Sequence, residues 1–334
     1  MRKTTKSKGD HMTQPLALVF PGQGSQQLGM LRELAERYSV VRTTFEEAAD
    51  ALGYDLWQVV QEGPEETLNT TACTQPALLT ASVAIWRVWQ ELEGPRPGAM
   101  AGHSLGEYSA MVCAGALPFA QGVRLVRLRG EAMQQAVPRG EGAMAAILGL
   151  DDAAVEKACA EAAEGDVVSA VNYNAPGQVV IAGSKEAVDR AITACQQAGA
   201  KRAMPLPVSV PSHCALMRPA AERLAEAIKT VELRSPRYRV FHNVDARPHD
   251  DVETLARCLV EQLYRPVRWS ACIEAMVEQG SRAFIECGPG KVLTGLNKRI
   301  ARESKGLAVN DPESLEAALD LARDVAGQSP SANG

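Results

Sequence analysis

Gly102-His103-Ser104-Leu105-Gly106 places a single serine between two glycines, where a short apolar segment gives way to a helical pattern. A strand that turns sharply into a helix projects the residue at the turn above the sheet, and flanking glycines let neighbouring backbone approach closely. This reading makes Ser104 a nucleophile at a strand-to-helix elbow, in a chain long enough for about two domains or one large α/β unit. The helix expected over 105–114, closed by Gly115, aims its N-terminal amides at the space above the serine, where they would stabilise developing negative charge. The same pentapeptide also fits a helix N-cap serine behind a glycine turn.

The remaining composition narrows the function classes. The chain has 334 residues and a net charge of -5, with no basic run interleaved with aromatics, so no nucleic-acid partner is expected. Apolar runs such as residues 16–20 are far too short to span a bilayer, and the polar start lacks the apolar region of a secretory signal. A cytoplasmic protein with no membrane partner is expected. Residues 1–11 resemble an expression leader ahead of Met12. Eight cysteines include no C-x-x-C pair, so neither a zinc site nor a redox dithiol is indicated. Cys214 is read as a packing residue.

Taken in order, residues 16–20 read as a buried strand, followed by the glycine-rich loop Pro21-Gly22-Gln23-Gly24-Ser25-Gln26. The dinucleotide fingerprint fails because its third glycine would fall at Gln27. A loop leaving a strand beside the nucleophile's strand can instead supply an oxyanion-hole amide, and Gln23 is the candidate. Helices are expected over 31–38, 41–51 and 76–92. A further helix over 119–137 gathers Arg124, Arg127, Glu131, Gln134 and Gln135 on one face, while Arg129 falls among apolar residues. A buried guanidinium must be paired. Either it meets an internal carboxylate, or it waits as a fork for a substrate carboxylate.

Strand and helix patterns over 143–206 follow the order β-α-β-β-α-β, which predicts an inserted ferredoxin-like small domain over 138–207. The larger catalytic domain then comprises 12–137 and 208–321, with a flexible tail at 322–334. Of the five histidines, His213 is the most interesting, because Pro207 and Pro211 stiffen its loop and it re-enters the larger domain just after the insertion. His103 reads as a wall residue, and His242, at a strand end, is open to either role. Gly288-Pro289-Gly290-Lys291 lacks P-loop spacing and reads as a strand-to-helix turn before a modestly basic helix carrying Lys298 and Arg299. No acid is evident to complete a triad with Ser104 and His213.

With these segments in hand, the chain resembles the bacterial malonyl-CoA:acyl carrier protein transacylases over residues 12–321. The matching signatures are Pro21 to Gln26, Gln75-Pro76-Ala77, Gly102 to Ser109, Arg129-Gly130, Asn172 to Gly183, Pro211-Ser212-His213, Gln262-Leu263-Tyr264 and Gly288-Pro289-Gly290. The resemblance implies a larger α/β domain with a hydrolase-like parallel sheet and a smaller ferredoxin-like domain, the active site lying in the cleft between them, with Ser104 acylated and His213 as its base. It implies an oxyanion hole from the backbone amides of Gln23 and Leu105, and Arg129 on the malonyl carboxylate. It also implies that the main-chain carbonyl of Gln262 orients His213. The implied reaction is ping-pong transfer from malonyl-CoA to the phosphopantetheine thiol of acyl carrier protein, supplying fatty acid elongation, with no cofactor and a monomeric enzyme. A serine esterase or thioesterase would use Ser104 and His213 equally well, but would not need Arg129. A non-catalytic carrier-binding module would use only the basic helix.

Overall fold

The computed structural model describes residues 14–208 and 210–327. Among these the strands are β1 (Leu16–Phe20), β2 (Ala99–Gly102), β3 (Gly142–Leu148), β4 (Val168–Ala175), β5 (Gln178–Ser184), β6 (Arg202–Pro205), β7 (Arg239–Phe241), β8 (Ala283–Cys287) and β9 (Lys305–Val309). Five make a parallel sheet in the order β7-β2-β1-β8-β9, and four make an antiparallel sheet in the order β4-β5-β3-β6.

The central strand explains its own composition. All five residues of Leu-Ala-Leu-Val-Phe are buried, because both sheet faces are covered. Leu16, Leu18 and Phe20 enter one core with Trp89 and Tyr108, whereas Ala17 and Val19 point into a second core with Trp269 and Ile273. This is the two-residue alternation of a strand, and each fully buried leucine or phenylalanine contributes about 1.5–3 kcal/mol.

In the antiparallel sheet the strand order and the helices Asp152–Ala163 and Lys185–Gln197 give the ferredoxin-like arrangement. Its other face packs Met144, Val171, Val180 and Ala182 against Cys214. Main-chain bonds between Tyr173 and Val267, and between Val267 and Val171, tie β4 to the larger domain. Strand β4 runs on to Ala175, but its pairing with β5 shifts between Ala170 and Asn172 and again between Tyr173 and Ala175. Such bulges bend a strand and re-aim single side chains.

Several local expectations shift. The helix expected from Pro76 begins at Thr71, with Pro76 inside it; burial of Thr71, Cys73, Thr74 and Gln75 outweighs the missing proline N–H. Strand β9 has no counterpart in the sequence reading because it is a half-exposed edge strand with little alternation. The tail boundary at 322 is corrected. The last helix runs Pro312–Gly327, and burial of Ala322 and Val325 carries it past that point. The leader at 1–11 and residues 328–334 lie outside the described residues. No described helix is long and apolar enough to cross a membrane.

Candidate active site

Two loops at the carboxyl ends of β1 and β2 build the centre. Ser104 follows β2 with φ 53 and ψ -110 and opens the helix Leu105–Cys113. Positive φ is costly for a serine and marks a strained elbow held by its surroundings. The glycines are sterically required: a Cβ on Gly102 would overlap the backbone of Gly106, and one on Gly106 would overlap the carbonyl of Phe20 in β1. Gly22 fits equally tightly, since a Cβ there would lie 2.6 Å from the His103 carbonyl oxygen. The Pro21–Gln26 loop is thereby pressed against the elbow.

Ser104 Oγ lies 2.8 Å from His213 Nε2, and His213 Nδ1 lies 2.6 Å from the main-chain oxygen of Gln262. A carbonyl can only accept, so Nδ1 carries the proton and Nε2 is free to take one from the serine hydroxyl. His213 itself has φ 66 and is buried. Burial first, then the nearby Arg129 charge, depress its pKa from 6.5 to about 3, with the Gln262 carbonyl opposing. The ring is therefore a neutral base.

The Ser104 amide donates to Asn243 Oδ1 at 2.8 Å and is spent. The amides of Gln23 and Leu105 have no hydrogen-bond partner among the described residues, and both residues line the same cavity, about 270 Å³, as Ser104, Arg129 and His213. Those two N–H groups can receive an oxyanion.

Arg129 is 1% exposed, as its place on the apolar stripe demands. Its Nη1 donates to Gln75 Oε1 at 3.0 Å, while Nη2 donates to Gln262 Oε1 at 2.9 Å and Ser104 Oγ at 3.2 Å. Its Nε is buried without a partner, and the guanidinium lies 5.2 Å from the Tyr108 ring centroid. No carboxylate touches it among the described residues. Of the two alternatives read from the sequence, a direct internal salt bridge is absent. Burial lowers the guanidinium pKa, and the neighbouring Tyr108 and Glu107 oppose this.

His103 stands in the wall. Its Nε2 bonds Asn174 Oδ1 at 2.7 Å, its ring lies 5.6 Å from Trp269, and burial lowers its pKa. Asn174 is the unpaired residue of the second β4 bulge, so the small domain's irregularity delivers a side chain to the elbow. Cys214 is buried, with Sγ 3.2 Å from the Pro211 oxygen, and faces away from this chemistry.

Sequence reasoning missed Glu107, His242 as its partner, and Asn243. Glu107 Oε1 accepts from His242 Nδ1 at 2.7 Å, and Oε2 accepts from the Asn243 amide and Gln262 Nε2, each at 2.9 Å. Asn243 Nδ2 also holds the Gly102 oxygen at 2.8 Å. The signal available for Glu107 was that it is the single charged residue in the helix Leu105–Cys113.

A neutral imidazole on an elbow serine, with two free amides beside it, suits acyl transfer through a serine ester. Residues 17–329 match the family model described as the acyl transferase domain, and the chain belongs to that family. The malonyl CoA-acyl carrier protein transacylase of Escherichia coli strain K12 is 59% identical over 310 residues, covering 93% of this chain and 100% of that protein. The crystal structure of an acyl carrier protein S-malonyltransferase from Vibrio cholerae is 61% identical, with TM-score 0.90 over 91% of this chain and 99% of that one. A malonyl-transacylase in complex with its type II PKS acyl-carrier protein is 59% identical, with TM-score 0.91 over 92% of this chain and 99% of that one.

Proposed function

We propose that this protein moves the malonyl group of malonyl-CoA to the phosphopantetheine thiol of an acyl carrier protein, feeding fatty acid elongation. The observation that carries this reading is Arg129, a buried guanidinium with no carboxylate of its own and Nη2 3.2 Å from the Ser104 hydroxyl. An acyl group attached at Ser104 Oγ would bring its own carboxylate within reach of that fork.

In the proposed cycle Ser104 Oγ gives its proton to His213 Nε2 and attacks the thioester carbonyl. The oxyanion rests on the amides of Gln23 and Leu105. Collapse expels CoA as its thiolate, which takes the proton from His213, and leaves malonyl as an ester on Ser104. The carrier thiol then gives its proton to His213, attacks that ester, and the departing Ser104 oxygen recovers the proton. A carbonyl rather than a carboxylate fixing the imidazole is sufficient here, because the leaving group is a thiolate, which departs more readily than an amine.

The test is intact-mass measurement after mixing with malonyl-CoA. A malonyl adduct is expected on the native chain and absent from Ser104→Ala, and a native adduct should pass to carrier protein rather than appear as free malonate. An adduct persisting in Ser104→Ala refutes the assignment, and release of malonate in place of transfer favours a thioesterase.

A further inference from the structure

Glu107 lies three residues beyond Ser104 and is 0% exposed. Its three contacts are all donors: His242 Nδ1, the Asn243 amide and Gln262 Nε2. His242 Nε2 is buried without a partner. Among the described residues no lysine or arginine touches Glu107.

Arg129 is reached from Glu107 through one amide. Gln262 turns its NH2 to Glu107 Oε2 and its oxygen to Arg129 Nη2, both at 2.9 Å. The amide orientation is dictated by its neighbours, since a carboxylate can only accept and a guanidinium can only donate. The Gln262 NH2 also donates to the Ser104 main-chain oxygen at 2.9 Å, and its main-chain carbonyl holds His213.

We propose that Glu107 is the buried counter-charge of Arg129, acting through the Gln262 side chain as a positioning residue. It offsets the guanidinium without occupying it, and it clamps the residue whose carbonyl aligns His213. A carboxylate placed directly on Arg129 would fill the fork bidentately and compete with substrate. The amide relay takes only an Nη2 hydrogen; with Gln75 on Nη1, one Nη1 hydrogen and the Nε hydrogen stay without a partner among the described residues. This inference rests on the reading of Arg129 as the malonyl-carboxylate site.

Single-turnover acylation of Ser104 tests it, through the limiting rate and the apparent Kd for malonyl-CoA and acetyl-CoA. Glu107→Gln preserves size, removes the charge and points an NH2 at donors. The limiting rate should fall about tenfold with both donors, because Gln262 loses its anchor. The apparent Kd for malonyl-CoA should also fall, by about fivefold, because substrate carboxylate and Glu107 are coupled through one guanidinium; that for acetyl-CoA should not change. Glu107→Asp keeps the charge but shortens the reach, so the rate should fall with the malonyl-CoA Kd unchanged. A purely structural role would weaken both donors alike. An unchanged or raised malonyl-CoA Kd in folded Glu107→Gln overturns the proposal. If that variant does not fold, Gln262→Met cuts the relay instead, and an unchanged malonyl-to-acetyl Kd ratio overturns it equally. Arg129→Ala separates the two readings: loss of malonyl preference there with no Kd change in Glu107→Gln refutes only the counter-charge.

Discussion

Replacing Arg129 by alanine tests the link between geometry and substrate class. The substitution has two separable costs. It removes the donors to Gln75 Oε1 and Gln262 Oε1, both bonded to the guanidinium inside the protein. Each orphaned acceptor costs about 1–3 kcal/mol, a penalty that falls on stability and on every substrate alike. It also removes the charge facing the acyl group, and a hydrogen bond to a charged partner contributes about 1.5–3 kcal/mol. At a factor of ten for about 1.4 kcal/mol, that second cost is about 10- to 150-fold in kcat/KM and falls on malonyl-CoA alone. The assay is transfer to carrier protein from malonyl-CoA and acetyl-CoA in parallel, with thermal melting to confirm folding. The ratio of kcat/KM values, rather than either value, carries the answer, because the shared penalty cancels. Malonyl transfer should drop at least about tenfold further than acetyl transfer. Equal losses would refute the reasoning and leave Arg129 as a structural pin for Gln75 and Gln262.

Gly106→Ala should be severe despite its small size, since the new Cβ meets the Phe20 carbonyl, backbone that cannot swing aside. Parting the elbow from β1 should lower urea stability by about 1–3 kcal/mol and abolish detectable malonyl-enzyme; wild-type acylation would show that the close approach is not needed. His213 supplies a pH test. Its folded pKa is depressed to about 3 from 6.5, so the unfolded chain binds the extra proton between those values, and stability is full above about 6.5 and declines as pH falls toward 3. The urea midpoint should fall from about pH 7.5 to about pH 5, and His213→Gln should flatten that slope; an identical slope in the variant would show that His213 does not contribute. Over the same interval the initial acylation rate should lack a break near 6.5, because the base is already neutral.

What could be read from the sequence follows from what local patterns encode. The elbow, the β-α-β-β-α-β order and the misplaced Arg129 are statements about period and punctuation, and these survive without knowledge of tertiary contacts. Strand β9 escaped because an exposed edge needs no alternation. Asn174 escaped because its aim depends on a bulge defined only by pairing with β5. Glu107 was visible as a buried-helix charge, but its partner Gln262 lies 155 residues away and its function requires both ends of an amide.

The acid that the sequence did not offer to His213 is thus present one residue removed, behind Gln262. The substitution of a carbonyl for a carboxylate changes what the base can sense. A carboxylate at Nδ1 would stabilise imidazolium whatever occupied the cavity, whereas here burial and Arg129 hold His213 near pKa 3. On the proposed reading, an acyl carboxylate bound to Arg129 would offset the second of those causes and, by linkage, make the imidazole more basic. Water brings no such charge. On the proposed reading, the guanidinium that receives the acyl carboxylate would also favour proton transfer from Ser104 when a carboxylated substrate is in place, so that substrate choice and activation of the nucleophile share one residue.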